Sequence, residues 1–278
     1  LRQDIAKEVD EAVQRAQAAA DPVPAQSRDG LFAPLPADLP VQETARPAFK
    51  DTSQGGLTLG QSLNRVLAQE LARNPRLYLT GEDVEDPKGD VFGVTKGLST
   101  RFAGRVVNSP LAEATIMGVA VGRALAGDTA VAAIQFVDFI GPALNQLFNE
   151  VATMYWRSKG EWNCPLVVLS PCGAYLPGLG PWHAQTGEGL FAHIPGLQVV
   201  MPSTPADAAG LLRFALRCNR PVVFLYPKAL LFSLEETIEE PAPDYVVPIG
   251  QARTVRPGRD VTVVVWGNTV PLDRRAHV

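Results

Sequence analysis

Two stretches hold residue types in an order that can do chemistry. In Ser109-Pro110-Leu111-Ala112-Glu113-Ala114, a carboxylate follows the short run Arg105-Val106-Val107 and opens the small-residue segment 114–126. That order reads as strand end, turn and first helical turn. An acid there meets unpaired backbone N–H groups and the positive end of the helix dipole, and open α/β sheets bind ligands at such strand ends. An acid that only stabilises its own helix fits the same six residues. The second stretch, Gln135-Phe136-Val137-Asp138-Phe139, follows the apolar run Ala130 to Ile134 and falls on the same rim if both strands are parallel. Two aromatics beside a carboxylate suit a flat heterocycle, one ring stacking and the acid bonding the ring edge. Phe136 and Phe139, three apart, suit core positions equally well.

Histidine offers one more candidate. His183 follows Tyr175-Leu176-Pro177-Gly178-Leu179-Gly180-Pro181-Trp182, so a titratable ring sits in a loop, the usual setting for acid–base work. A plain surface histidine fits as well. His193, among Phe191, Ala192, Ile194 and Pro195, is expected to be packed and hydrogen-bonded, and His277 in the tail is set aside. Phosphate-loop, nucleophile-elbow and zinc-helix motifs do not occur. Gly178-Leu179-Gly180 lacks the third glycine and the strand-to-helix setting of a dinucleotide fingerprint.

The elements that must position these residues alternate. Strands are expected at 77–79, 105–108, 130–135, 165–170, 197–201 and 221–226, with helices at 113–126, 141–157 and 205–217 between them. Thr58 opens an earlier helix with Leu59, Leu63, Val66, Leu67 and Leu71 on one face, and Asn74-Pro75 ends it. Strands such as Leu166-Val167-Val168-Leu169 are apolar throughout, as in a parallel sheet covered on both faces. The expected fold is therefore α/β, a doubly wound parallel sheet with helices on both faces. Gly118 and Gly122, four apart in one helix, suit either a close backbone approach or simple tolerance.

The flanks read differently. Residues 3–20 show helical spacing through Ile5, Val9 and Val13. Prolines at 22, 24, 34, 36, 40 and 47 then make 21–50 an extended arm or linker, expected to wrap a partner or join two domains. Val261 to Trp266 reads as a strong strand with twelve residues after it, which suggests a further domain cut short. The expected division is thus 1–20, 21–50, a domain over 51–245, and 246–278 as linker and start of a truncated domain.

The 278 residues are 46% hydrophobic, ample for a core, and their net charge of −4 without a basic run disfavours nucleic acid. No apolar stretch reaches the ~18 residues of a membrane span, and no signal-peptide pattern opens the chain. Three scattered cysteines form neither a redox pair nor a zinc cluster, so buried thiols in a cytoplasmic compartment are expected.

Seven segments in order resemble the beta subunit of the thiamine-diphosphate-dependent first component of 2-oxoacid dehydrogenase complexes, of pyruvate, branched-chain 2-oxoacid or acetoin type. They are Gly81-Glu82-Asp83-Val84, Ser109 to Ala114, Ile134 to Ile140, Asn163-Cys164-Pro165-Leu166, Trp182-His183-Ala184-Gln185, Phe191 to Leu197, and Met201-Pro202-Ser203-Thr204-Pro205. The match covers about residues 57–235, and the helix at 3–20 looks like the end of that family's alpha subunit, as in a fused alpha–beta protein.

The resemblance implies roles. Glu113 aligns with the acid that bonds N1′ of the cofactor's aminopyrimidine. Sharing that proton favours the imino form at the 4′ position, which then takes the proton from thiazolium C2. His183 aligns with a loop histidine that guides protons during acyl transfer. Leu111, Gln135, Phe136 and Phe139 align with the pocket around the pyrimidine. Phe139 is often tyrosine in relatives, Ala112 replaces a slightly larger residue, and Cys218 stands where an aspartate commonly lies near a structural potassium site. Gly127-Asp128-Thr129 is not the GDG pattern that holds diphosphate and Mg²⁺ in this superfamily. The implied site is therefore shared: this chain supplies the pyrimidine half, and an alpha half supplies diphosphate and Mg²⁺ binding. The implied partners are that alpha half, a lipoyl acyltransferase and a second beta half, in a homodimer or α2β2-type assembly. The implied activity is oxidative decarboxylation of a 2-oxoacid with acyl transfer to a lipoyl carrier, the chain being inactive alone. A transketolase-like or deoxyxylulose-phosphate-synthase-like enzyme, or a catalytically incomplete assembly fragment, is the alternative.

Overall fold

The computed structural model describes residues 1–276, so His277 lies outside the described residues. Six parallel strands form one sheet: β1 (Leu77–Gly81), β2 (Val106–Asn108), β3 (Thr129–Ala133), β4 (Leu166–Cys172), β5 (Gln198–Val200) and β6 (Val222–Pro227). Their order is β2-β1-β3-β4-β6-β5. The helices are α1 (Arg2–Ala18), α2 (Leu59–Arg73), α3 (Leu98–Arg101), α4 (Glu113–Leu125), α5 (Met154–Arg157), α6 (Glu188–Ala192), α7 (Pro205–Arg217) and α8 (Thr269–Ala276). The doubly wound sheet is the one expected, with each strand boundary within two residues of its expected place.

Alternation along the strands divides the interior. Val131, Val167, Leu169 and Phe224 join a core with α2 and α7. Ala130, Ala132, Leu166, Val168, Val223 and Leu225 join the opposite core with α4. β4 and β6 are buried at every position, which explains their unbroken apolar sequence. Local chemistry sets the helix starts. Thr58 and Gln61 form a capping box on α2, and Thr204 with Pro205 caps α7. A buried ion network joins these two helices: Glu70 accepts from Arg213 Nε at 3.3 Å and Arg217 Nε at 3.0 Å, and Arg213 Nη1 donates to the Tyr245 carbonyl at 2.5 Å.

Two expected elements differ. The helix expected at 141–157 is a 3₁₀ turn at Gly141–Ala143, a π-helical turn at Gln146–Val151, and then α5. The Thr153 hydroxyl donates to the Asn149 carbonyl at 2.5 Å, a side-chain bond that competes with the regular helix ladder. Residues 261–266 form no strand and are mostly exposed. No neighbouring strand lies against them among the described residues, and an isolated strand keeps its backbone groups in water. The proline-rich stretch lies on its own domain. Ala33 and Leu39 are buried there, Arg46 pairs with Asp207 at 2.7 Å, and Phe49 bridges Ile238 antiparallel. The close approach considered for Gly118 and Gly122 is not made within the chain, since a Cβ at either would meet nothing within 4 Å. α1 buries no residue. No helix among the described residues is long and apolar enough to cross a membrane.

Candidate functional site

The chain leaves β1 toward β2 on one side and returns to β3 on the other, so the carboxyl ends of β1 and β3 flank the topological switch point. The strands meet closely here: a Cβ on Gly81 would sit 2.4 Å from the Ala133 carbonyl oxygen. Beyond Gly81 the backbone turns through Asp83, whose φ is +58°. Gln135 Nε2 donates to Asp83 Oδ2 at 3.1 Å, and Lys88 ion-pairs with the same oxygen. The Gln135 carboxamide is thus oriented by an acid from the neighbouring strand end.

Glu113 is the first residue of α4, with Ala112 as an N-cap that offers no side-chain bond. The Ala112 carbonyl accepts from the N–H groups of Thr115 and Ile116, and Gln146 Nε2 pins the Ala114 carbonyl at 3.3 Å. The Glu113 carboxylate is half-buried and makes no hydrogen bond or ion pair among the described residues. It stands near Glu82: partial burial, then the fields of Asp83 and Glu113, push the Glu82 carboxyl above its ordinary range. Leu111 is 74% exposed, on the lip of the site rather than inside it.

His183 is drawn into a ring cluster. Its imidazole stands edge-to-face on Phe136 at 4.6 Å and on Phe139 at 5.5 Å. Phe136 and Phe139 meet at 5.8 Å, and Phe92 touches Phe136 at 5.8 Å and Tyr175 at 5.6 Å. Phe136 is buried and Phe139 half-buried, so the two share core and rim duties. His193, by contrast, is exposed and not packed. The five-residue helix α6 turns Phe191 inward and carries its apolar neighbours past His193, which a reading of flanking residues misses.

Asp138 spends one carboxylate oxygen on the backbone. Its Oδ1 accepts from the backbone N–H groups of Ala184 and Gln185, both at 3.0 Å. Two residues outside the sequence expectation join the rim. Lys228, just past β6, is 2% exposed with Nζ 5.2 Å from the Phe136 ring centroid. Burial lowers its ammonium pKa, while Asp138 opposes that shift. Asp90, at φ +65°, lines a small crevice with Glu82, Phe92, Gln135 and Tyr226, and burial pushes its carboxyl up to about 6. A lysine directly after a β-strand was a visible signal for the first; nothing local in sequence marks the second.

Residues 56–233 match the family described as transketolase, pyrimidine binding domain. The 2-oxoisovalerate dehydrogenase subunit beta of Bacillus subtilis (strain 168) is 44% identical over 207 residues, 74% of this chain and 62% of that protein. The pyruvate dehydrogenase E1 component subunit beta of Acholeplasma laidlawii is 41% identical over 215 residues, 77% of this chain and 64% of its own length. The acetoin:2,6-dichlorophenolindophenol oxidoreductase subunit beta of Cupriavidus necator is 38% identical over 220 residues, with shares of 76% and 64%. The chain thus spans less than two thirds of the length of these relatives. A solved structure described as split gene transketolase, inactive beta4 tetramer, shares the fold at a TM-score of 0.62 and 21% identity, covering 80% of this chain and 67% of that one. The chain belongs to the family of the transketolase pyrimidine-binding domain and is similar to beta subunits of 2-oxoacid dehydrogenases.

Proposed function

We propose that this chain supplies the aminopyrimidine half of a thiamine diphosphate site in an enzyme that decarboxylates a 2-oxoacid and passes the acyl group to a lipoyl carrier. The observation that carries the reading is Glu113: a half-buried carboxylate with no partner among the described residues, at a helix start on the ligand-binding rim. The side chains fit an aminopyrimidine. An unpaired acid suits a ring nitrogen that takes a proton, and Phe136 and Phe139 offer an aromatic wall beside it. The cofactor supplies a carbon nucleophile and an electron sink for the decarboxylation. Glu113 holds a proton against N1′. His183, held on the two phenylalanines, handles a proton during acyl transfer, and Gln135 with Leu111 borders the ring.

The diphosphate and Mg²⁺ belong to an alpha half, which makes the site interfacial. The open glycine face of α4, which starts at Glu113, supports such docking. A lipoyl acyltransferase takes the acyl group onward. The chain alone is then inactive, and joining it to the diphosphate-binding half restores cofactor-dependent decarboxylation. The test is Glu113→Gln in that reconstituted enzyme. The expected result is a rate loss of about 10²–10⁴-fold with assembly intact; an unchanged rate assigns the chain to assembly instead of catalysis.

A further inference from the structure

Three buried side-chain atoms, Lys228 Nζ, Asp138 Oδ2 and Glu188 Oε2, have no hydrogen-bond partner among the described residues; Lys228 stands in the field of Asp138, and all three act on buried Cys172. Buried polar groups in folded proteins are nearly always satisfied, so a group of three calls for a reason. The other oxygen of Asp138 points to it. Asp138 Oδ1 takes the N–H groups of Ala184 and Gln185, the two residues that follow His183. We propose that Asp138 is the positioning residue of His183, and that buried Lys228 is the counter-charge that keeps its carboxylate gripping the loop. The inference rests on the reading of His183 as a site residue.

The loop needs a grip. Between Gly173 and Gly187, four glycines adopt positive φ, at +73°, +85°, +62° and +71° for Gly173, Gly178, Gly180 and Gly187. Glycine loses more conformational freedom on ordering than any other residue, so this segment orders only where something holds it. At its base Gly173 donates to the Gln185 carbonyl at 2.7 Å. On the His183 side the hold is Asp138, through two hydrogen bonds to one carboxylate oxygen. Bonds to a charged acceptor are roughly twice as strong as neutral ones, so the grip depends on the charge. That carboxylate is half-buried, with one oxygen buried and unpartnered. Lys228, buried and equally unpartnered, stands in its field and over Phe136, on which His183 stands. Its removal leaves the Asp138 charge without compensation.

Three variants of the full chain test this: Asp138→Asn, Lys228→Met, and the two combined. Amide hydrogen exchange of Ala184 and Gln185 reads the grip, and exchange at Val168 and Leu225 in β4 and β6 reads the fold. Each single variant is expected to speed exchange at 184 and 185 at least tenfold with the strand amides unchanged, and the double variant to match Asp138→Asn, because Lys228 acts only through that charge. In the enzyme reconstituted with the diphosphate-binding half, the singles lower kcat at least tenfold and leave KM for the 2-oxoacid within twofold, and the double loses no more than Asp138→Asn. Unchanged exchange at 184 and 185 in Asp138→Asn overturns the inference whatever the activity does. If Lys228→Met loosens the strands as well, Asp138→Asn decides alone. Faster loop exchange with undiminished turnover upholds the grip and counts against His183 in the proposed chemistry, so the two readings fail separately.

Discussion

Carboxylates crowd the strand ends at the switch point, and their environments differ enough to predict different behaviour. Asp90 carries the largest upward displacement among them, to about 6, because burial outweighs the backbone N–H groups of Phe92, Val94, Gly93 and Thr95. The native state therefore holds this proton more tightly than the unfolded chain, whose carboxyl titrates near 3.9. Between about pH 4 and pH 6 the native state binds more protons, and stability falls as pH rises. Asn at this position has no proton to lose and tolerates the left-handed backbone. The stability advantage of Asp90→Asn over the parent should grow by up to about 3 kcal/mol from pH 4 to pH 7 in denaturant titrations. A difference independent of pH removes Asp90 from the account. Glu82 moves in the same direction for a different blend of causes, partial burial first and then Asp83 and Glu113.

Strands and helices show where packing leaves no slack. Gly81 ends β1 against β3, with Ala133 O 2.4 Å from where a Cβ would lie. Backbone cannot retreat as a flexible side chain can, so Gly81→Ala should cost about 1–3 kcal/mol in denaturant titrations. It should also displace Glu82 and Asp83, which begin one residue on. The α2–α7 pair depends on Glu70, 3% exposed at its side chain, between Arg213 at 0% and Arg217 at 15%. Glu70→Ala leaves buried guanidinium groups uncompensated and should cost about 3–5 kcal/mol. Glu70→Ala/Arg213→Met should recover part of that loss, and a double variant no better than the single would contradict this account.

At the scale of the molecule, the α4 face carrying Gly118 and Gly122 is open to a partner, since a Cβ at either meets nothing within 4 Å. In the chain alone, replacing either by alanine fills open space and removes a helix-weakening glycine, so stability should rise by about 1 kcal/mol each. If the alpha half docks on this face, the same alanines should weaken reconstitution while the isolated chain melts higher. Titrating one half into the other by calorimetry checks this, and equal affinity for parent and variants moves the docking surface elsewhere.

Much of this was legible in the residues themselves. Apolar runs at regular spacing announced β4 and β6, Thr58 announced the start of α2, and the order of short segments announced the family. These signals are local, carried by side-chain period and by caps that act within four residues. Other features had no local signature. That Phe136, Phe139 and His183 share one ring cluster, that Asp138 binds the backbone after His183, and that Lys228 lies buried in the field of Asp138 all follow from bringing β3, β6 and a distant loop to one rim. The failed strand at 261–266 makes the same point from the other side. Its sequence has the propensity, but a strand exists only where a neighbour accepts its hydrogen bonds, and tertiary structure alone decides whether one is there.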